Sequence, residues 1–178
     1  NFALGMIAEG AKGETKEVLC NYLGTDDFAS YAKEYLNKIK EYNTEDESYG
    51  YKSKLKIADA VWVDNNLTLQ EEFKNSVTNG FGAEVENVDF SAAEKTCGII
   101  NSWCDKNTEG LIPKIITPDL INDTTGLCLT NSLYFESGWS GEPWNVSDTE
   151  EKFGNNEKTK YMTCAGDRYY ENDKATAF

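Results

Sequence analysis

The sequence predicts an α+β fold. Segments of helical periodicity and segments of strand alternation intermix along its 178 residues without a regular βαβ period, and no internal repeat is present. A hydrophobic content of 39% and an aromatic content of 12% suit a globular chain with a real core. No clean linker splits off a second domain, so residues 1–178 read as one.

The elements follow in chain order. Residues 3–9 alternate small and large apolar side chains and stop at Gly10, as the last turns of a buried helix do. Thr15 is read as the N-cap of a helix over 16–23, with Gly24 as its stop. From 28 to 42, Phe28, Tyr31, Tyr35, Leu36, Ile39 and Tyr42 recur at helical spacing and give an amphipathic helix. The polar, acidic residues 43–50 form a loop. Residues 51–63 alternate and then turn wholly apolar, the mark of a strand that becomes buried on both faces.

A short helix over 70–79 carries Phe73 and Val77 and stops near Gly80, and 83–88 is a second strand. Ser91 and Glu94 stand at capping-box spacing ahead of a helix over 91–107, whose apolar stripe is Cys97, Ile100, Trp103 and Cys104. Pro113 and Pro118 punctuate an extended, irregular segment. Residues 125–136 are the longest strand candidate, apolar on both faces apart from Thr130, Asn131 and Ser132. A polar triplet in a buried strand is costly unless hydrogen-bonded, so Asn131 is expected to be buried and bonded. Short strands follow near 151–153, 159–164 and 167–170.

Charge and composition exclude several functions. A formal net charge of −14 argues against nucleic acid and anionic membrane surfaces, which need clustered Lys and Arg. No apolar run approaches the roughly 20 residues of a membrane span, and no signal-peptide pattern is present. Five cysteines (Cys20, Cys97, Cys104, Cys128, Cys164) at irregular spacing, without a Cys-x-x-Cys pair, read as small buried hydrophobes more than as a disulfide framework. The absence of histidine leaves no zinc site and no Ser-His-Asp or Cys-His apparatus, so no enzyme, metal or cofactor is expected. The glycines do not form a phosphate loop, and Asp59, Asp64 and Asn65 lack the spacing of a calcium loop. Asn66, Asn122 and Asn145 are glycosylation sequons.

Five motifs in fixed order carry more. They are the opening Ala3-Leu4-Gly5-Met6-Ile7-Ala8-Glu9-Gly10-Ala11-Lys12-Gly13-Glu14-Thr15, then Ala83-Glu84-Val85-Glu86-Asn87-Val88-Asp89-Phe90, Ile100-Asn101-Ser102-Trp103, Thr108-Glu109-Gly110-Leu111-Ile112, and Thr130-Asn131-Ser132-Leu133-Tyr134-Phe135-Glu136-Ser137-Gly138-Trp139. Together, over roughly residues 3 to 153, they resemble the serpins, a family made up mostly of serine and cysteine protease inhibitors.

The resemblance implies a serpin-like α+β fold with a central sheet, of which this chain is about the first half and a partial domain. It implies a serine-type endopeptidase inhibitor acting as a suicide substrate. A cut bait loop inserts as an extra strand into the central sheet and drags the acyl-enzyme with it; serpin insertion is itself a standard example of strand addition and stored-strain release. The partners implied are a target serine or cysteine protease and the C-terminal fragment of the same protein, and the location implied is extracellular. By motif match, 125–136 is the third strand of the central sheet, with an edge either bare or paired from outside. Asn131 is the asparagine of the shutter, where the sheet parts; Trp139 is the tryptophan of the breach, where the loop enters, joined there by Asp148 and Thr149. The helix over 91–107 crosses the front of the sheet.

Two departures stand out. Glu136 occupies the place where the family usually has Lys. The Ser-Pro-x-Ser element that opens the family's first helix is expected upstream of Asn1, and the bait loop beyond Phe178. Two other readings stay open: a non-inhibitory serpin-fold binding or chaperone protein, and a carbohydrate-binding protein outside the family that would expose coplanar Trp and Tyr.

Overall fold

The computed structural model describes residues 2–43, 53–137, 145–154, 157–163, 170–171 and 176–177. They fall in two units, Asn1–Ser137 and Gly138–Phe178.

Glycines set several helix ends in the first unit. Helix α1 (Phe2–Gly10) is followed by α2 (Gly13–Leu23), which stops where Gly24 takes the left-handed φ of 75° that a side chain disfavours. Thr15 lies inside α2 and does not cap it; the cap position is Lys12, which makes no side-chain bond. Helix α3 (Phe28–Tyr42) keeps the bounds its periodicity predicts, and its cap is Asp27, whose carboxylate accepts from Ser30 N at 3.1 Å. Helix α4 (Glu71–Phe81) runs through Gly80 and ends at Gly82, φ 65°. Gly80 has a packing role instead: a Cβ there would lie 2.6 Å from Ala29 Cβ and 2.9 Å from Ala29 O.

Strand β1 (Ser53–Asp64) is the middle of a three-stranded sheet. It pairs in parallel with β2 (Glu84–Val88) and antiparallel with β3 (Leu127–Ser137), in a register running from Ser53 opposite Ser137 to Val63 opposite Leu127. Because β2 meets only residues 60–64 of β1, Asn43 fills the edge lower down, donating to Leu55 O and accepting from Leu55 N. Strand alternation then sorts the side chains. Val61 and Val63 pack with Met6, Phe28, Ala32, Val77 and Phe81 of α1, α3 and α4. On the other face, Ala60 and Trp62 pack with Val88 and Phe90 and with Cys97, Ile100, Trp103 and Cys104 of helix α5 (Ala93–Asn107). Around residues 60–63 of β1 the central sheet is thus covered on both faces, with α5 across one of them.

The motifs find local reasons. Asn101 of α5 ties down the segment after it, accepting from Ile115 N and Ile116 N and donating to Ile116 O. Thr108 Oγ1 donates to Cys104 O and accepts from Ile112 N, so the chain leaves α5 through a left-handed pair, Glu109 at φ 52° and Gly110 at φ 82°. Ser91 is not a helix cap. Asp89 takes both its N–H and its hydroxyl, and the helix begins after Ala92. The segment after α5 is irregular apart from a 3₁₀ turn at Pro118–Leu120. Cys97 and Cys104 are buried, and burial pushes both thiols above their ordinary pKa.

In the second unit β4 (Asn145–Phe153) and β5 (Glu157–Thr163) pair antiparallel, with a register irregularity between Val146 and Glu150. Ser147 Oγ bridges it, donating to Thr149 O and accepting from Tyr161 N. β6 (Tyr170–Glu171) pairs with β7 (Thr176–Ala177). The loop expected at 43–50 and the strand expected at 167–170 lie mostly outside the described residues.

Candidate functional site

The site grows from a charged residue in an apolar run. In Ile57-Ala58-Asp59-Ala60-Val61 the odd residues share the face of α1, α3 and α4. That alternation points Asp59 into the apolar layer, where it is 2% exposed. Its register partner on β3 is Asn131, whose Nδ2 donates to Asp59 Oδ1 at 2.9 Å. The other oxygen, Oδ2, is buried with no hydrogen-bond partner among the described residues. Burial pushes the carboxyl up to about 6; the Asn131 bond, and less strongly the amino group at the chain start, pull it down.

Asn131 is bonded, as expected, but it is not buried. Among the described residues β3 is the last strand of this sheet, and α1 and α3 leave its outer half uncovered, with Leu133 57% and Phe135 65% exposed. Over this half lies a groove of about 770 Å³, lined by Phe2, Phe28, Tyr31, Tyr35, Ile57 and Leu133, with Asn131 in its wall.

The neighbours of Asn131 in the triplet point the other way and are closed in. Trp62 Nε1 donates to Thr130 Oγ1 at 3.0 Å, and Ser132 Oγ to Ala58 O at 3.5 Å. Trp103 meets Trp62 edge-on, centroids 6.1 Å apart. All three residues of the triplet are therefore bonded, which is what makes it tolerable there.

At the far end of β3, Glu136 stands opposite Lys54. Lys54 Nζ reaches Glu109 at 2.9 Å and lies 5.3 Å from the centre of the Tyr134 ring, while Tyr134 donates its hydroxyl proton to Glu136 at 2.6 Å. The Lys54 bond holds the Glu109 carboxyl below its ordinary range, and the bond to Glu136 pushes the Tyr134 phenol up. The acidic residue at position 136 thus comes with a lysine on the neighbouring strand.

Of the other residues matched to the machinery, Trp139 lies outside the described residues. Asp148 and Thr149 lie in β4, within the irregular stretch of its pairing, and belong to the second unit. Asp59 is the residue the sequence reading passed over, having weighed it only as a calcium ligand. The available signal was one carboxylate among four apolar neighbours.

This geometry defines a class: an α+β protein with a central sheet packed by helices on both faces of its middle strand and an exposed, partly apolar strand beside it. The chain belongs to the serpin family, for the family model described as Serpin (serine protease inhibitor) matches residues 1–176. It is 33% identical over 150 residues to Serpin-ZXA of Oryza sativa subsp. japonica, covering 84% of this chain and 38% of that one. It is 31% identical over 145 residues to neuroserpin of Homo sapiens, covering 79% and 34%. Among solved structures it resembles Arabidopsis AtSerpin1 in its native stressed conformation, with a TM-score of 0.72 and 26% identity over 94% of this chain and 46% of that one. It shares the fold of Manduca sexta serpin-12 at a TM-score of 0.74 and 24% identity, over 95% and 46%. The chain spans less than half the length of these relatives. Family membership overturns the reading as a carbohydrate-binding protein outside the serpins, and two of the tryptophans that reading needed at the surface, Trp62 and Trp103, are buried.

Proposed function

We propose that the full-length protein inhibits a serine-type endopeptidase, or a cysteine protease, by inserting its cut bait loop beside β3 of the central sheet. The observation that carries this reading is the β3 edge, which pairs with no further strand among the described residues and exposes Leu133 and Phe135, in a chain that belongs to a family composed mostly of protease inhibitors. A strand edge with unpaired N–H and C=O groups is a template for an added strand. In this reading residues 1–178 are part of one serpin domain that supplies the acceptor half, and the C-terminal part of the same protein supplies the bait. Asn131 marks where the sheet parts; Trp139, Asp148 and Thr149 mark where the loop enters. An extracellular location belongs to the same proposal.

The test is to mix the full-length protein, and separately the 178-residue chain, with a panel of serine and cysteine proteases. The full-length protein should form complexes that survive boiling in SDS, and the chain alone should form none. A folded full-length protein that traps no protease belongs with binding or chaperone members of the family. A stable complex with the chain alone would place the bait within residues 1–178 and end this account.

A further inference from the structure

We propose that Asp59 makes the packing beneath the central sheet sensitive to mild acid: ionised, it strains the native state, and protonated, it relaxes it. The geometry is that of an under-supplied carboxylate. An ionised carboxyl offers acceptor sites on both oxygens, yet among the described residues only Oδ1 has a donor, the Asn131 amide, and Oδ2 is buried without one. A buried charge so poorly met is costly, and the group escapes the cost by taking up a proton.

The surroundings offer little to offset it. From the face that Asp59 shares, β1 contributes Ile57 and Val61, β3 Leu129 and Leu133, α3 Phe28 and Ala32, and α4 Val77 and Phe81. Helix α1 contributes Met6, and its Glu9 is engaged by Ser76 Oγ of α4 at 2.6 Å. The phenols of Tyr31 and Tyr35 are exposed at the groove. The charge of the chain's amino group acts on Asp59 more weakly than burial or the Asn131 bond.

The sign follows from linkage. The native carboxyl, near 6, holds its proton more tightly than the unfolded one at 3.8. The stability it contributes is therefore complete below the unfolded value and is lost as pH rises through the folded one. The carboxylates Asp64, Asp89, Glu109 and Asp119 are held low and act in the opposite direction, weakening only as pH falls through their own lower range. Asp59 thus opposes the usual acid response of the fold. This inference stands apart from protease inhibition, because it concerns the native packing whatever the full-length protein binds.

The experiment compares thermal unfolding midpoints of the full-length protein and its Asp59→Asn variant from about pH 7.5 to about pH 5. The variant should melt higher than wild type at the upper end, and the gap should close as pH falls. Parallel profiles would overturn the proposal. If the variant does not fold, carbon NMR of the wild-type protein labelled at aspartate Cγ decides. One solvent-shielded aspartate should titrate far above the ordinary range, and titration of every aspartate within that range would equally overturn it.

Discussion

The two faces of the β1–β3 pair are built from the same two strands and come out opposite. Toward α5, the polar side chains of the two strands are matched and enclosed: Thr130 accepts from Trp62, Ser132 reaches Ala58 O, and Trp103 covers the indole, its own Nε1 buried with no hydrogen-bond partner among the described residues. Toward α1 and α3, one carboxylate has a single donor, the amide that serves it is exposed, and a groove lies over Ile57 and Leu133. A closed face is stabilised by area and fit, whereas the open one keeps an electrostatic cost and uncovered apolar surface. The lesson is that strand alternation allots residues to faces but does not decide how well each face is finished. That depends on the elements laid over it.

The largest blow to this contrast should come from the closed face. Trp62→Ala removes a side chain that is 1% exposed and leaves both Trp103 and Thr130 without their partner. A loss of about 3–5 kcal/mol in denaturant unfolding is expected; a loss under about 1 kcal/mol would mean that this face is no core.

On the open face, Asn131→Leu should cost about 1–3 kcal/mol at neutral pH, because Asp59 then has no donor among the described residues on either oxygen. Removing the bond takes away the main effect that holds the Asp59 carboxyl down, so its folded value rises further above the unfolded one. The stability lost as pH rises through that value therefore grows. The cost of Asn131→Leu should be larger at about pH 7.5 than at about pH 5, and a cost independent of pH would break the link between the two residues. The smallest effect belongs to the exposed end of the sheet. Lys54→Met loses a half-exposed pair with Glu109 and should change stability by less than about 1 kcal/mol, less still at high salt.

Much of this was legible in the residues themselves. Helix α3, the three strands of the central sheet and the Cys97–Cys104 stripe follow from periodicity, because each packs an extended apolar face. Helix starts were harder. Thr15 and Ser91 have the right side chains for caps, but Ser91 is captured by Asp89 and α2 begins two residues before Thr15. At Gly80 the sequence could not tell a stop from a contact, since both call for a missing Cβ and only the approach of Ala29 distinguishes them. Asn131 was read as buried because its flanks are apolar. Its exposure depends on which helices reach the edge strand, a matter of tertiary arrangement that no local pattern encodes.

The meeting of Gly80 and Ala29 bears on how the molecule breathes. Ordinary helix neighbours are separated by a layer of side chains that can change rotamer and let one helix loosen while the other holds. Here a Cβ on Gly80 would fall within 2.7 Å of Ala29 Cα, so α3 and α4 meet with almost no such layer between them. The two helices should open and close as one cooperative unit, and their amide protons should share a single opening free energy in native-state hydrogen exchange. Helix α2, which buries no residue, should exchange earlier and independently, so that this side of the molecule has a quick element and a slow pair.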